Sequence, residues 1–317
     1  MDVERRVAHR VSFGLEEYIS IAASADGRRL VATVSNPNRK LWTAPISDQI
    51  AEESSVRSFP LPTVSAVSPR FGPDYLLYLS SKGGANGLWK FKNGAVRELW
   101  KATEGALAAA PAVSPDGRQI CFSIRKEGRA RLYLMSADGT NLRALAESLD
   151  VRDTSSWSPD GKWIVVAANE GQANPLFKVA ADGGPVIRLM DGVLYNPVWS
   201  PDGQLIVYTE AVQGASYRVN AITPEKQPVS LPELWVRTDG NRYRFMPNGK
   251  SVVIMQGKYR RQDFWSLDLA TGRLRQLTKL QPGSSMRSFD ISPDGRQIVF
   301  DRVRENSDLV LIDLARP

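Results

Sequence analysis

Two residue types that build many catalytic and metal centres are almost missing from this chain. Its 317 residues include one cysteine, Cys121, and one histidine, His9. An intramolecular disulfide is excluded, and so is any zinc site of the Cys/His type. A Ser-His-Asp relay has only His9 to draw on, and Gly-x-Ser-x-Gly, the elbow that exposes a nucleophilic serine, does not occur. There is no glycine-rich nucleotide loop, no His-Arg-Asp and no Asp-Phe-Gly, so the parts of a kinase site are absent. No helix-turn-helix stretch is found. No apolar run approaches the length of a membrane span, about 18 residues. The first residues, Met1-Asp2-Val3-Glu4-Arg5-Arg6, lack the apolar segment of a secretory signal. The expectation is a cytoplasmic chain by default. Membership of a longer, membrane-anchored protein would make it periplasmic or otherwise extracytoplasmic.

Charge excludes less. Lys and Arg number 41 against 34 Asp and Glu, a formal +7. No dense basic tract is interleaved with aromatics, so direct nucleic-acid binding is not expected. No residue cluster calls for a cofactor or a metal. Helical periodicity is scarce too. Hydrophobic residues make up 42% of the chain. They fall in runs of four to six, broken by Gly, Pro, Asn and Asp, as in a protein of many short strands.

What is present in abundance is one tetrapeptide. Ser-Pro-Asp-Gly stands at Ser114, Ser158, Ser200 and Ser292, each time between two apolar segments. Proline presets φ at the second turn position, and Asp-Gly tolerates the reversal that follows. Two β-rich runs around such a turn read as a hairpin. Looser versions extend the series: Ser24-Ala25-Asp26-Gly27, a stretched Ser68-Pro69-Arg70-Phe71-Gly72-Pro73-Asp74, and Met246-Pro247-Asn248-Gly249. Turns near 24, 68, 114, 158, 200, 246 and 292 give a nearly constant period. A period of about 40–45 residues with four strands per unit is the sequence signature of propeller blades.

The third repeat reads as strand a over Ala110–Val113, strand b over Gln119–Ile124, strand c over Arg131–Ser136, a turn at Ala137-Asp138-Gly139, and strand d over Asn141–Leu145. The last repeat supplies Ser288–Ile291, Gln297–Asp301 and Leu309–Asp313 but no fourth strand. Arg6–Val11 precedes the first repeat and is left over. The expected fold is therefore all-β: one seven-bladed propeller over residues 1–317, with four-stranded blades. Pairing of Arg6–Val11 with Leu309–Asp313 closes the last blade, and closure removes exposed sheet edges.

The repeat, an aromatic or apolar residue, SPDG, then Ile-Val-Phe, Leu-Tyr-Leu and x-Asp-Gly, resembles the TolB-like and WD-type propellers of bacteria. Gln262–Gly272 and Arg304–Leu314 resemble the end of the propeller in bacterial proteins that carry a serine/threonine kinase or winged-helix domain upstream. The resemblance implies a non-catalytic sensory or docking module in a signalling protein. Two alternatives stand beside it: the propeller of a prolyl-oligopeptidase-like serine hydrolase, and a TolB-like envelope scaffold.

The repeated aspartates, Asp116, Asp160, Asp202 and Asp294, sit one per blade around a ring and read as turn-stabilising acceptors. Trp157 and Trp199 precede their turns at matching positions and read as core between blades. Function is then expected where the copies differ, chiefly in the b–c loops. These carry Arg39 and Lys40, then Lys82, then Arg125, Lys126 and Arg129 in the first three repeats. Lys258, Arg260 and Arg261 follow in the sixth, and Arg302 and Arg304 in the seventh. The fourth and fifth carry Glu170 and Glu210 instead. The expectation is a basic arc on one rim that docks an acidic protein or an anionic ligand.

Overall fold

The computed structural model describes residues 17–313, apart from 36, 64, 83–84, 104, 212–215 and 238–241. His9 and the expected closing strand Arg6–Val11 lie outside the described residues. The chain divides into two compact units, Arg39–Arg302 and the remainder.

In Arg39–Arg302 the alternating apolar runs pair into six antiparallel sheets with four strand positions each. Blade I runs Val67–Phe71, Leu76–Lys82, Ala85–Lys92 and Ala95–Trp100. Blade II has a split strand a, Ala106–Leu107 and Ala112–Val113, then Gln119–Lys126, Arg129–Ser136 and Arg143–Leu145. Blade III runs Val151–Trp157, Trp163–Ala168, Leu176–Ala180 and Val186–Met190. Blade IV runs Leu194–Trp199, Ile206–Ala211 and Ser216–Ile222, with a split strand d at Pro228–Val229 and Trp235–Arg237. Blade V runs Tyr243–Phe245, Ser251–Lys258, Arg261–Asp268 and Leu274–Gln276.

Blade VI is assembled from both ends of this unit. Phe289–Ile291 and Gln297–Arg304 supply strands a and b, while Asn38–Pro45 and Arg57–Ser58 supply c and d. The parallel pairing of Ala51–Glu52 with Thr278–Lys279 ties the same segment to blade V. Arg302 clasps Glu53 through two bonds of 2.6 and 2.8 Å.

This corrects the expected third strand of the last repeat. Leu309–Asp313 pairs with Arg29–Thr33, not with strand b of the last repeat, and the place beside that strand is taken by Asn38–Pro45. Burial explains the choice. A third strand must cover both neighbouring blades, and Asn38–Pro45 brings Leu41 and Ala44, which are 1% and 0% exposed. Leu309 and Leu311 in the rejected candidate remain 77% and 56% exposed. The SADG hairpin, Glu17–Ala23 with Arg29–Ser35, joins Ser307–Asp313 in a three-stranded sheet of the other unit. Among the described residues, that sheet has three strands rather than the four expected of a blade.

The core lies between blades rather than in one centre. Six apolar clusters fill the six interfaces. Phe264 of blade V meets Phe289 and Phe300 of blade VI at 5.0 and 5.2 Å. Leu41 and Val299 of blade VI pack on Leu76 and Tyr78 of blade I, so the ring is closed. Trp157 and Trp199 belong to the clusters between blades II and III and between III and IV, as their positions implied.

The turns are built alike. Ser114 Oγ donates to Asp116 Oδ1 at 2.6 Å and accepts the Gln119 N–H at 2.9 Å, and Asp116 Oδ1 accepts the Arg118 N–H at 3.0 Å. Gly117 closes the turn at φ 70°, where a Cβ would be strained. The same bonds recur at Ser158, Ser200 and Ser292. The serine hydroxyl, first, and the backbone N–H hold the Asp116 carboxyl below its ordinary range. These aspartates are structural acceptors, as their repetition predicts.

Candidate functional site

In blade I the a–b turn is not at Ser68. Gly72 donates its N–H to Tyr75 O, and Gly72-Pro73-Asp74 occupies the Ser-Pro-Asp frame, while Ser68 lies inside strand a. With this frame one position becomes visible in every blade. Two residues before the turn stand Arg70, Ala112, Ser156, Val198, Arg244 and Asp290. All six line a single cavity of about 350 Å³ at the ring centre. Trp157, Trp199, Pro115, Pro159 and Pro201 complete its wall. Because turn residues form the rim, the cavity opens on the a–b face.

The inner strands are shaped for this. Three of them lose regular register, between Val67 and Arg70, Arg152 and Ser156, and Tyr195 and Val198. At these irregularities Ser68, Asp153 and Asn196 adopt φ of 56°, 65° and 50°. Left-handed backbone at non-glycine residues costs about 1–3 kcal/mol each and persists only where neighbours enforce it. The neighbours are identifiable. The Ser68 N–H donates to Asp301 Oδ2 at 3.2 Å, the Asp153 carboxylate accepts the backbone N–H groups of Thr154 and Asn196, and Tyr243 donates its hydroxyl to Asn196 O.

Five ionisable groups surround the axis. Arg70 is 6% exposed and donates from Nη1 to Pro69 O, Ser288 Oγ and Phe289 O at 2.6, 3.1 and 3.1 Å. Its Nη2 is buried and has no partner. Arg244 places Nε 3.7 Å from Asp290 Oδ1, and Asp290 Oδ2 accepts the Phe71 N–H at 2.8 Å. Asp301, 1% exposed, accepts N–H bonds from Arg287, Ser288 and Ser68 at 2.7, 3.0 and 3.2 Å.

Burial dominates their proton affinities. It lowers Arg70 to about 9, with the neighbouring Arg244 charge adding to the effect against Asp290, Asp301 and Asp153. Burial also lowers Arg244. It raises Asp153 to about 6 against the two backbone N–H bonds and the arginine charges. It raises Asp301 as well. The chemistry on offer is electrostatic recognition. Cys121 is buried with its thiol pushed up to about 12, which leaves it inert. No group of three His, Cys, Asp or Glu among the described residues is placed to hold a metal.

The basic residues singled out in the sequence lie elsewhere. Arg125, Lys126 and Arg129 flank the b–c hairpin of blade II, and Lys258, Arg260 and Arg261 that of blade V. Lys82 ends strand b of blade I, Arg39 and Lys40 begin strand c of blade VI, and Arg302 and Arg304 end its strand b. These hairpins stand at the opposite ends of the b strands from the cavity, and none of these residues lines it. Arg125, Lys126, Arg129, Lys258 and Arg261 are exposed. Arg302 is instead engaged by Glu53 and lies over the Trp42 ring at 5.1 Å. Arg70, Arg244, Asp153, Asp290 and Asp301 were missed, and the repeat position two before the turn is the signal that finds four of the six variable cavity residues as non-apolar or charged.

The family model of the TolB beta propeller domain matches residues 62–232, more than half of the chain and the whole of blades I to III. This chain belongs to the TolB beta propeller family. A TolB candidate of known structure from Agrobacterium tumefaciens superposes on this TolB propeller with a TM-score of 0.62 at 22% identity. The match covers 84% of the chain and 99% of the other. Dipeptidyl-peptidase 5 of Porphyromonas endodontalis is 24% identical over 230 residues, 64% of this chain and 31% of the peptidase. A TolB homologue of Chlorobaculum tepidum is 30% identical over 99 residues, 31% of this chain and 23% of its own length. The TolB propeller thus spans less than a third of these curated relatives. Among its described residues no helix is long and apolar enough to cross a membrane.

Proposed function

We propose that this chain is a non-catalytic binding propeller that seats its ligand at the a–b mouth of the channel. One observation carries the reading: one inner-strand position, filled by five residue types in the six blades, converges on one cavity. Concave, largely apolar sites with a few converging polar groups are where proteins take small ligands and chain ends. The exposed b–c arc, Arg125, Lys126, Arg129, Lys258 and Arg261, is an additional surface that attracts an acidic partner by long-range charge.

The test is fluorescence anisotropy with a panel of labelled acidic and neutral peptides. Saturable binding is expected, lost on filling the cavity with Ser155→Trp. Replacing Arg125, Arg129, Arg260 and Arg261 with Glu weakens only the acidic peptides and leaves thermal unfolding nearly unchanged. Binding indifferent to Ser155→Trp refutes the seat at this mouth.

A second reading is favoured by the match to a dipeptidyl-peptidase. In it the propeller is the non-catalytic part of a serine peptidase. The reading frame around this chain distinguishes the settings. An in-frame α/β-hydrolase supports the peptidase. A kinase or winged-helix domain supports a signalling protein, and neither domain fits an envelope scaffold.

A further inference from the structure

The reading of the a–b mouth as a ligand seat does not say what ligand it takes, and the cavity's own chemistry does. A guanidinium carries five N–H donors in a planar fork. Arg70 directs one nitrogen to three protein oxygens and leaves Nη2 buried without an acceptor. An unsatisfied buried donor is costly, more so on a charged group. Arg70 lines the cavity, and a second guanidinium, Arg244, lines it too. One carboxylate lines it with them, Asp290, and both of its oxygens are already taken, by the Phe71 N–H and by Arg244. The formal charge of the lining is therefore +1.

The deeper carboxylates are spoken for by backbone N–H groups, Asp153 by two and Asp301 by three. The remaining wall has Trp157, Trp199 and three prolines, and its serine hydroxyls are engaged: Ser155 and Ser200 donate to Cys121 Sγ and Asp202, and Ser156 accepts the Trp199 N–H. Both indole N–H groups are already donated to backbone oxygens, Ala112 O and Gly203 O. The wall therefore offers hydrophobic contact and few further hydrogen bonds.

We infer that the cavity binds a monoanionic carboxylate with an apolar body, its carboxylate meeting Arg70 and Arg244 and its body lying against Trp157 and Trp199. Arginine matches a carboxylate in geometry, since two parallel N–H groups reach its two oxygens. A lining of +1 favours a monoanion over a dianionic phosphate. The cavity, about 350 Å³, is at the small end for ligand sites and admits a small organic acid or the last residues of a chain. A free acid and a peptide C-terminus present the same chemistry.

The experiment is titration calorimetry of the intact chain with matched pairs. These are 3-phenylpropionate and its amide, and N-acetyl-Leu-Phe as free acid and as amide. A charge-assisted bond to a buried donor implies that each acid that fits binds about tenfold to a hundredfold tighter than its amide. Binding of the peptide acid alone identifies a chain end as the source, and binding of phenylpropionate identifies a free acid. Arg70→Gln removes the preference for acid over amide. Because Arg70 also holds Pro69, Ser288 and Phe289, the acid–amide contrast on the unaltered chain decides the matter if that variant fails to fold. Equal binding of acid and amide, lost in Ser155→Trp, overturns the carboxylate assignment and leaves the ligand seat standing. Binding untouched by Ser155→Trp overturns both. Absence of binding by both acids, or tighter binding of inorganic phosphate, overturns the assignment.

Discussion

Replacing Asp301 tests whether the ring is sealed by backbone amides gathered on one buried carboxylate. Oδ1 accepts the Arg287 and Ser288 N–H groups within blade VI, and Oδ2 accepts the Ser68 N–H of blade I. Asp301→Ala strands three donors. A buried donor without a partner costs about 1–3 kcal/mol, and removing a carboxylate that burial already penalises returns part of it, so the net loss is about 3–5 kcal/mol. Asp301→Asn is more selective. Its amide oxygen can keep the two bonds at Oδ1, while its NH2 faces the Ser68 N–H, donor against donor. Only the link between blades I and VI is lost, at about 1–2 kcal/mol. Urea unfolding followed by fluorescence of the eight tryptophans gives both values from the midpoints. The reasoning is refuted if Asn is as costly as Ala, or if Ala costs less than about 1 kcal/mol.

Phe264→Ala empties the centre of the aromatic triad between blades V and VI, and a loss of about 3–5 kcal/mol is expected in the same urea assay. Stability as a function of pH carries two opposite signatures. Asp153, raised to about 6 from 3.8, holds a proton in the folded state that the unfolded chain has released. Its contribution therefore grows as pH falls from 7 through 6 towards 4, and Asp153→Asn flattens that slope. The turn aspartates are held below 3.8, so the stability they add is present above that value and is lost as pH falls below it.

Much of this architecture was legible because the turn chemistry repeats. Ser, Pro, Asp and Gly each have a distinct task in the a–b reversal, so their spacing marks the blades directly. The frame failed once, at Ser68-Pro69-Arg70, where a serine and a proline inside a bulged inner strand imitate the turn. The true turn, Gly72-Pro73-Asp74, starts with glycine and lacks the serine hydroxyl. That slip hid the alignment of Arg70 with Arg244 and Asp290, and with it the cavity.

The third strand of the last blade was misread for a different reason. Alternation marks Asn38–Pro45 and Leu309–Asp313 alike as strands. Which of them sits beside Gln297–Arg304 depends on what Leu41 and Ala44 fill between blades, a tertiary fact. The basic b–c residues were legible as a pattern of charge. Sequence spacing alone did not show that the cavity opens at the other end of the b strands.

The composite blade has a consequence for how the ring comes to exist. Arg302 and Glu53 stand 249 positions apart. During synthesis Asn38–Pro45 must wait, with Leu41 uncovered, until almost all of the unit has emerged and Gln297–Arg304 can be placed beside it. Long-range pairing of this kind is slow because the loop must close before the contacts reward it. The five blades made from contiguous chain can form hairpin by hairpin, whereas the ring becomes a ring in one late step. A cut between residues 45 and 57 would leave the ordered blades in place and free the clasp that holds them in a circle.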